Sequence, residues 1–174
     1  DALRAHRQSG LSPLRPTMRG SNQNPDVYMQ AVESGNAFWD NLPAIVDFTM
    51  QEVSALTGRP LSLVKYAGDP EPEHVIVQMG SAVKVTESVL ETFAARGERV
   101  GVVSPVLYRP WPSSMLLEYI PPTAKTVTVL DRTKEHGAFR EPLFLDVAAT
   151  LQEVPAYAEV TILGGRYGLG SKEY

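Results

Sequence analysis

The sequence predicts an α/β fold in which helices cover both faces of an open, mostly parallel sheet of about five strands. Two observations lead to this prediction. Segments with strand-like and helix-like apolar patterns alternate along the chain and are joined by short loops. The continuous apolar run at residues 75–79 is typical of a buried parallel strand, and with the following helical pattern and the strand at residue 100 it forms one βαβ unit.

The chain before the first strand is expected to hold a linker and a short helix. Residues 1–24 show no apolar period, are punctuated by glycine and proline, and are basic. We therefore expect an irregular linker, or an arm lying on another domain. Asn24-Pro25 supplies an N-cap and a first helical residue for a helix that ends at about Glu33, before Gly35-Asn36.

A second helix is predicted at residues 42–57, where apolar residues recur with helical period and Gly58 follows as a C′ residue. We expect this helix to cover one face of the sheet. Phe38 and Trp39 stand just before it and are expected to pack at its entry, although the pair is also compatible with the lining of a ligand pocket.

The remaining elements follow in regular alternation, each bounded by glycine, proline or a helix-capping residue. The predicted strands are 61–66, 75–79, 100–103, 126–130 and 160–163, and the predicted helices are 83–96, about 113–119 with Ser113 or Ser114 as cap, and 142–152. The domain is therefore expected to occupy residues 25–163. The glycine-rich residues 164–174 are expected to form a flexible exit toward a following domain.

Composition excludes several kinds of chemistry. The 174 residues contain no cysteine, so the chain itself holds no disulfide, iron–sulfur cluster, thiolate-bound zinc or cysteine nucleophile. The three histidines are scattered without metal-ligand spacing, and we expect no metal site. A net charge of −4 gives no reason to expect a nucleic-acid partner. No apolar stretch approaches the roughly 20 residues that a membrane span requires.

The charged turn at residues 131–135, which reads Asp-Arg-Thr-Lys-Glu, follows an apolar strand pattern and precedes the proline that begins a helix. Open α/β sheets place ligands and partners at the carboxyl ends of their strands, so this turn is a candidate site. Asp131, Glu135, Glu141 and Asp146 are close in sequence, but no activated hydroxyl or thiol accompanies them. Alternating charges more simply form a salt-bridged surface loop, and we expect no catalytic residue here.

Nucleotide-binding motifs are absent, since neither G-x-G-x-x-G nor G-x-x-x-x-G-K-[ST] occurs. Met79-Gly80-Ser81 stands at a strand-to-helix turn, where backbone amides can hold a phosphate. A single glycine at such a turn more often allows close packing.

Seven segments occur in a characteristic order and spacing: NPDVY at 24–28, TGRP at 57–60, EHVIVQMGS at 73–81, LYRP at 107–110, VLDRTKE at 129–135, EPL at 141–143 and GRYGLGSKEY at 165–174. Together they closely resemble the pyruvate:ferredoxin (flavodoxin) oxidoreductase family, in its second domain with the segments that join it to the first and third. The resemblance implies a transketolase C-terminal-like fold, a three-layer α/β/α domain with five strands, one of them antiparallel.

The resemblance also implies the activity of a parent enzyme. Members of this family decarboxylate pyruvate on thiamine diphosphate with Mg²⁺, pass electrons through [4Fe-4S] clusters to ferredoxin or flavodoxin, and form acetyl-CoA from coenzyme A. Other domains hold these cofactors, and Gly68-Asp69-Pro70 departs from the G-D-G thiamine motif at its third residue. The implied parent is a cytoplasmic homodimer, or an organellar one in a eukaryote, and this chain alone is expected to bind no cofactor and to be inactive.

Two readings of function remain open. The favoured one is a structural fragment of such an oxidoreductase, with further chain expected before Asp1 and after Tyr174. The alternative is an independent anion-binding or interaction module, or the equivalent domain of another 2-oxo acid oxidoreductase or fused reductase. His136, where the family commonly has proline, keeps the last possibility open. The candidate docking and anion-binding residues are Arg109, Arg132, Lys134 and Arg166.

Overall fold

The structure is a computed structural model that describes residues 1–16, 20 and 22–170. The chain divides into two compact units, Asp1–Ala37 and Phe38–Tyr174. The boundary expected between residues 24 and 25 falls inside the first unit.

The first unit contains helix α1, Ala2–Gln8, where an irregular segment was predicted. That prediction was wrong because the glycines and prolines of this segment come only after residue 8 and do not interrupt the helix. Alanine, leucine, arginine and glutamine are strong helix formers, and the helix ends at Ser9, whose backbone N–H donates to Ala5 O at 3.0 Å. Helix α2, Tyr28–Glu33, begins later than expected. Val27 N–H donates to Asn24 O at 3.0 Å, so Pro25 lies in a turn rather than at the first helical position.

Helix α3 is one continuous helix, Asn36–Thr57, with Pro43 inside it. The predicted start at residue 42 was wrong because one proline removes only one hydrogen bond, while the neighbouring residues keep the helical conformation. Gly58 has φ +68°, as expected of a C′ glycine. No residue of α3 is buried, and the helix makes no extensive contact with any strand of the described sheet.

The expected packing of α3 is therefore corrected. It does not cover a sheet face, and the two aromatic residues predicted to pack at its entry are inside the helix and exposed. Phe38 is 79% exposed and Trp39 is 58% exposed. The period of an amphipathic pattern defines an apolar side of a helix, but it does not say which neighbour covers that side.

Five strands form one sheet in the order β1-β3-β2-β4-β5. β1 (Val64–Gly68) is antiparallel to β3 (Val100–Pro105), whereas β2 (His74–Gln78), β4 (Thr126–Asp131) and β5 (Thr161–Arg166) continue the sheet in parallel. The predicted mostly parallel, five-stranded α/β sheet is confirmed, as is the single antiparallel strand that the resemblance implied.

Helices lie on both faces of this sheet. Helix α5 (Ser113–Tyr119), helix α6 (Pro142–Gln152) and a short 3₁₀ helix (Pro155–Tyr157) enclose the main core with one face. Helix α4 (Ala82–Ala95) packs on β3 and β1 and contributes buried residues outside that core cluster. The main core is formed by the buried residues Val64, Val75, Val77, Val103, Leu116, Ile120, Ala124, Val127, Val129, Leu143, Val147, Leu151 and Tyr157.

Strand β5 continues to Arg166, although a flexible exit was predicted from residue 164. The two glycines remain in the strand because side chains of other elements pack closely over them, the Phe144 ring of α6 over Gly164 and Leu130 of β4 over Gly165. A Cβ added at Gly164 would lie 2.8 Å from Phe144 Cδ2. Glycine is therefore used here for close approach of a helix rather than for flexibility.

Two smaller corrections concern element ends. β1 begins at Val64 rather than residue 61, and α5 has Pro112 as its N-cap with no side-chain hydrogen bond, where a serine cap was expected. Among the described residues, no helix is both long and apolar enough to cross a membrane.

Candidate functional site

The charged turn lies at the edge of the sheet where the parallel strands β2, β4 and β5 end. Asp131 is the last residue of β4 and is in register with Arg166, the last residue of β5. Beside them lies a cavity of about 200 Å³, which we call the edge cavity. Its lining residues are Met79, Tyr108, Leu130, Asp131, Arg132, Thr133, Pro142, Leu143 and Tyr167.

Asp131 caps helix α6 from the neighbouring strand. Its side chain is 4% exposed, and its two carboxylate oxygens accept hydrogen bonds from Leu143 N–H at 3.0 Å and Phe144 N–H at 3.1 Å. These amides belong to the first turn of α6, where Glu141 is the N-cap but makes no side-chain capping bond. Burial raises the pKa of Asp131, and the two amides oppose that shift. The carboxylate thus satisfies helix amides that would otherwise lack acceptors.

Arg166 also bonds to the start of α6. Its Nη1 lies 3.0 Å from Glu141 Oε1, and the Glu141 side chain is only 6% exposed. A carboxylate that is nearly removed from water requires a charged or hydrogen-bonding partner, and Arg166 supplies it. Two acidic residues and one arginine therefore join the ends of β4 and β5 to the first turn of α6.

Arg109 fixes the segment after β3 against the same helix. Its Nη2 lies 2.7 Å from Asp146 Oδ2, and its guanidinium stacks 4.0 Å from the centroid of the Tyr108 ring. The Arg109–Pro110 peptide bond is cis. Two residues further on, Trp111 Nε1–H donates to Thr150 Oγ1 at 2.8 Å. Burial, and then the charge of Asp146, raise the pKa of Tyr108.

Arg132 and the segment after β5 close the edge. Arg132 Nε–H donates to Gly168 O at 3.0 Å, and Tyr167 N–H donates to Asp131 O at 3.1 Å. The Tyr167 hydroxyl donates to Met79 O at 3.2 Å, which joins this segment to the end of β2. Residues 167 and 168, expected to belong to a flexible exit, are thus bonded to the sheet.

The four predicted docking residues are in different situations. Arg109, Arg132 and Arg166 come together at the carboxyl edge of the sheet, and each has a partner within the chain. Lys134 is exposed in the loop that follows β4. The salt-bridged loop expected at residues 131–135 is organised instead by the bonds of Asp131 to backbone amides.

Sequence reasoning did not find the pairing of Arg109 with Asp146, since these residues are 37 positions apart and no local pattern connects them. Tyr108 and Tyr167, which line the edge cavity, were also missed. The one available signal was Glu141-Pro142-Leu143, which marks the start of a helix directly after a charged turn.

The glycine of the strand-to-helix turn at Gly80 has a backbone role and not the expected packing role, because a Cβ added there would meet no atom within 4 Å. Gly80 has φ +79°, which glycine adopts without strain, and Ser81 caps α4 without a side-chain hydrogen bond. The nearby cation Lys84 pairs with Glu87 of the same helix at 2.5 Å. The carboxylate of Glu87 makes this turn a poor site for an anion.

Two cofactor motifs of the family that this chain resembles, the cysteine ligands of the clusters and the G-D-G thiamine motif, do not occur in its sequence. The sequence has no cysteine to bind an iron–sulfur cluster. Within residues 1–16, 20 and 22–170, no three His, Asp or Glu side chains are grouped to hold a metal ion. In Gly68-Asp69-Pro70, Gly68 has φ +117° and its Cα faces the Val100 backbone, so this glycine permits a close chain crossing.

Comparison with known proteins gives a consistent result. The family described as "Pyruvate:ferredoxin oxidoreductase core domain II" matches residues 72–169, more than half of the chain. The pyruvate:ferredoxin oxidoreductase of Moorella thermoacetica is 44% identical over 174 residues, covering 100% of this chain and 15% of that protein. The pyruvate-flavodoxin oxidoreductase of Trichormus variabilis is 44% identical over 171 residues, covering 98% of this chain and 14% of that protein.

A third relative is the pyruvate dehydrogenase (NADP(+)), mitochondrial, of Euglena gracilis. It is 41% identical over 172 residues, a match that covers 99% of this chain and 10% of that protein. The chain thus spans 10–15% of the length of these three relatives.

Proposed function

Because this chain belongs to the family of pyruvate:ferredoxin oxidoreductase core domain II, we propose that it is a structural domain of an enzyme that oxidises pyruvate to acetyl-CoA and reduces ferredoxin or flavodoxin. In this proposal other domains bind thiamine diphosphate with Mg²⁺, the [4Fe-4S] clusters and coenzyme A. The domain includes β5 up to Arg166, beyond the expected end at residue 163, and the parent enzyme is a homodimer of the cytoplasm or an organelle.

One observation supports a structural role in particular. The charged residues at the carboxyl edge of the sheet satisfy one another: Asp131 holds the α6 amides, Glu141 pairs with Arg166 and Asp146 pairs with Arg109. A general acid or base must be within reach of a substrate proton and have a pKa suited to the transfer. These carboxylates are committed to helix ends and arginines, so they order loops rather than act on a substrate.

The activity is tested on the full-length protein that contains this chain. We expect pyruvate- and coenzyme A-dependent reduction of ferredoxin, flavodoxin or a viologen dye, and 2-oxoglutarate serves as the control substrate. Preferential oxidation of 2-oxoglutarate would indicate a different 2-oxo acid, and absence of any 2-oxo acid-dependent reduction would contradict the proposal.

Calorimetry on residues 1–174 tests the statement that this domain holds no cofactor. We expect no heat of binding with thiamine diphosphate or with coenzyme A. Binding of either at micromolar dissociation constant, about −8 kcal/mol, would show that the chain contains a cofactor site of its own.

The alternative function, recognition of an anionic partner, uses the predicted set Arg109, Arg132, Lys134 and Arg166. The observation that favours it is the position of Lys134, which is exposed beside the edge cavity that Arg132 lines. An anionic group of another domain or protein can approach there. Replacing Lys134 with glutamine is expected to weaken such a contact without disturbing the pairs made by Arg109 and Arg166.

A further inference from the structure

Helix α3 carries exposed apolar side chains along one side, which we call the α3 stripe. The stripe consists of Phe38, Ile45, Phe48 and Leu56, which are 79%, 59%, 64% and 87% exposed. With about 3.6 residues per turn, Phe38, Ile45 and Leu56 fall in one line along the helix and Phe48 lies beside it.

The stripe is not the partly covered side of α3. Leu42, Val46 and Met50 are half-buried and occupy a different side of the helix. Near the C-terminal end, Ser54 Oγ accepts a hydrogen bond from Leu61 N–H at 2.9 Å, on the chain that leads to β1. A helix with apolar residues on two sides is typical of one that lies between two packing partners.

The size of the stripe exceeds the scattered apolar exposure of an ordinary surface. An aromatic side chain buries roughly 150 Å² or more, so the two phenylalanines alone correspond to an exposed apolar area on the order of 300 Å². The largest apolar patch on a typical soluble monomer is of about this size and is often functional. Single exposed leucines require no such explanation.

We propose that the α3 stripe docks lengthwise into an apolar groove on another domain of the same polypeptide, and that this groove carries a lysine or arginine opposite Glu52. The inference rests on the proposed function. Relatives that match the whole chain are much longer, since the chain covers only 15% of the Moorella thermoacetica protein, so most of such a polypeptide is available to supply the groove.

The charge of α3 favours a groove on another domain over a second copy of the helix as the docking partner. Residues Asn36–Thr57 include Asp40, Asp47 and Glu52 but no lysine, arginine or histidine. Viewed down the helix axis, the Glu52 side chain points between those of Phe38 and Phe48, so Glu52 lies within the α3 stripe. Two copies of α3 packed along their stripes would bring like charges together, whereas a groove with a basic residue complements Glu52.

Site-specific photo-crosslinking in the full-length protein tests the docking. Benzoylphenylalanine is placed at Phe38, a conservative change in the stripe, and at Asp40, an exposed residue that points about 160° away from Phe38 on the same helix, as a matched control. We expect the probe at 38 to crosslink to peptides outside residues 1–174 at least fivefold more than the probe at 40. Mixing isotopically labelled and unlabelled subunits shows whether both peptides belong to one polypeptide.

Three outcomes would overturn the proposal: equal crosslinking from positions 38 and 40, crosslinks confined to residues 1–174, or crosslinks only between subunits. The proposed function is tested separately, by measuring pyruvate-dependent dye reduction in the unsubstituted protein. Active protein without the crosslink contradicts the docking alone, and crosslinked protein without 2-oxo acid oxidation contradicts the function alone.

Limited proteolysis provides a second measurement in the same full-length protein. The double substitution Ile45→Ser and Phe48→Ser is expected to increase cleavage within residues 36–57 severalfold, because the undocked helix becomes accessible to protease. Asp40→Ser changes an exposed residue outside the stripe and is expected to leave cleavage unchanged. Equal protection of both variants would contradict docking of the stripe.

Discussion

Asp131 connects the end of a strand to the start of a helix, although its sequence context resembles an ordinary surface turn. Both of its oxygens are used by α6 amides, and its burial raises its pKa. An ionised carboxylate at a helix N-terminus also interacts favourably with the helix dipole. The charge of this residue therefore contributes to the geometry of the edge rather than to chemistry on a substrate.

Replacing Asp131 with asparagine is expected to lower the free energy of unfolding by about 1–2 kcal/mol. The asparagine oxygen accepts a hydrogen bond from one of the two helix N–H groups. The asparagine NH₂ group faces the other N–H, which therefore has no acceptor. Urea denaturation of the purified protein measures the change. The control is Glu135→Gln in the exposed part of the same turn, expected to change stability by less than about 0.5 kcal/mol. Equal effects of the two substitutions would contradict the capping role.

Glu73 gives a pH-dependent prediction. Its hydrogen bond and charge interaction with Lys125, at 3.0 Å, hold the pKa of Glu73 below its ordinary value of 4.5. A lowered folded-state pKa means that the unfolded state binds the proton more tightly. The stabilisation is therefore present above pH 4.5 and is lost as pH falls through the folded-state pKa.

Lys125→Gln is expected to raise the pKa of Glu73 toward 4.5 and to flatten the decrease of stability on acidification. Carbon-13 NMR titration of the glutamate carboxyls measures the pKa directly. Because the side chains of Lys125 and Glu73 are 69% and 39% exposed, the difference between the two proteins should shrink as salt concentration increases. The control Lys134→Gln removes an exposed lysine elsewhere and should leave the Glu73 titration unchanged.

At the scale of elements, the sequence predicted the elements whose signals are local. Helix α4 ends before Gly97, which has φ +75°, and helix α6 begins at Pro142, both as predicted. The role of α3 was not predictable in this way, because its period shows that it has apolar sides but not what packs against them. The extent of β5 depended on Phe144, a residue of a different element. Local residues thus determine where helices start and stop, whereas packing partners come from distant parts of the chain.

The 3₁₀ helix after α6 is joined to the end of α5 by one buried hydroxyl. Tyr157 OH donates to Ile120 O at 2.7 Å, and burial raises the pKa of Tyr157. Tyr157→Phe is expected to lower the free energy of unfolding by about 1–2 kcal/mol, since the Ile120 carbonyl loses its buried donor. Chemical denaturation followed by circular dichroism measures the change. The matched substitution Tyr119→Phe at a half-buried tyrosine of α5 should have less than about 0.5 kcal/mol effect, and an equally small effect at Tyr157 would contradict this assignment.

At the scale of the whole molecule, the location of the candidate site could be predicted from the sequence, but the pairing of its side chains could not. The sequence placed the charged turn at the carboxyl end of a strand, and Asp131 does end β4, in register with Arg166 at the end of β5. The sequence did not show that Glu141 and Asp146 each approach an arginine, because the pairs are formed by the tertiary fold. Carboxylates that are already paired with arginines are poorly suited to proton transfer. These pairs instead hold the segments 108–111 and 167–168 in fixed positions.

This distinction predicts the activity of an Asp131→Asn variant of the full-length enzyme. A general acid or base typically contributes about 100-fold to 10,000-fold to the rate, so a catalytic Asp131 would give a loss of that size. A residue that only caps α6 should leave kcat and KM for pyruvate within about twofold at 25 °C, because a loss of about 1–2 kcal/mol of stability still leaves the protein folded. The same variant should inactivate at a lower temperature than the Glu135→Gln control. Steady-state pyruvate-dependent dye reduction gives the kinetic constants, and residual activity after heating gives the inactivation temperature. A rate loss of 100-fold or more with an unchanged inactivation temperature would show that Asp131 has a catalytic role and not a structural one.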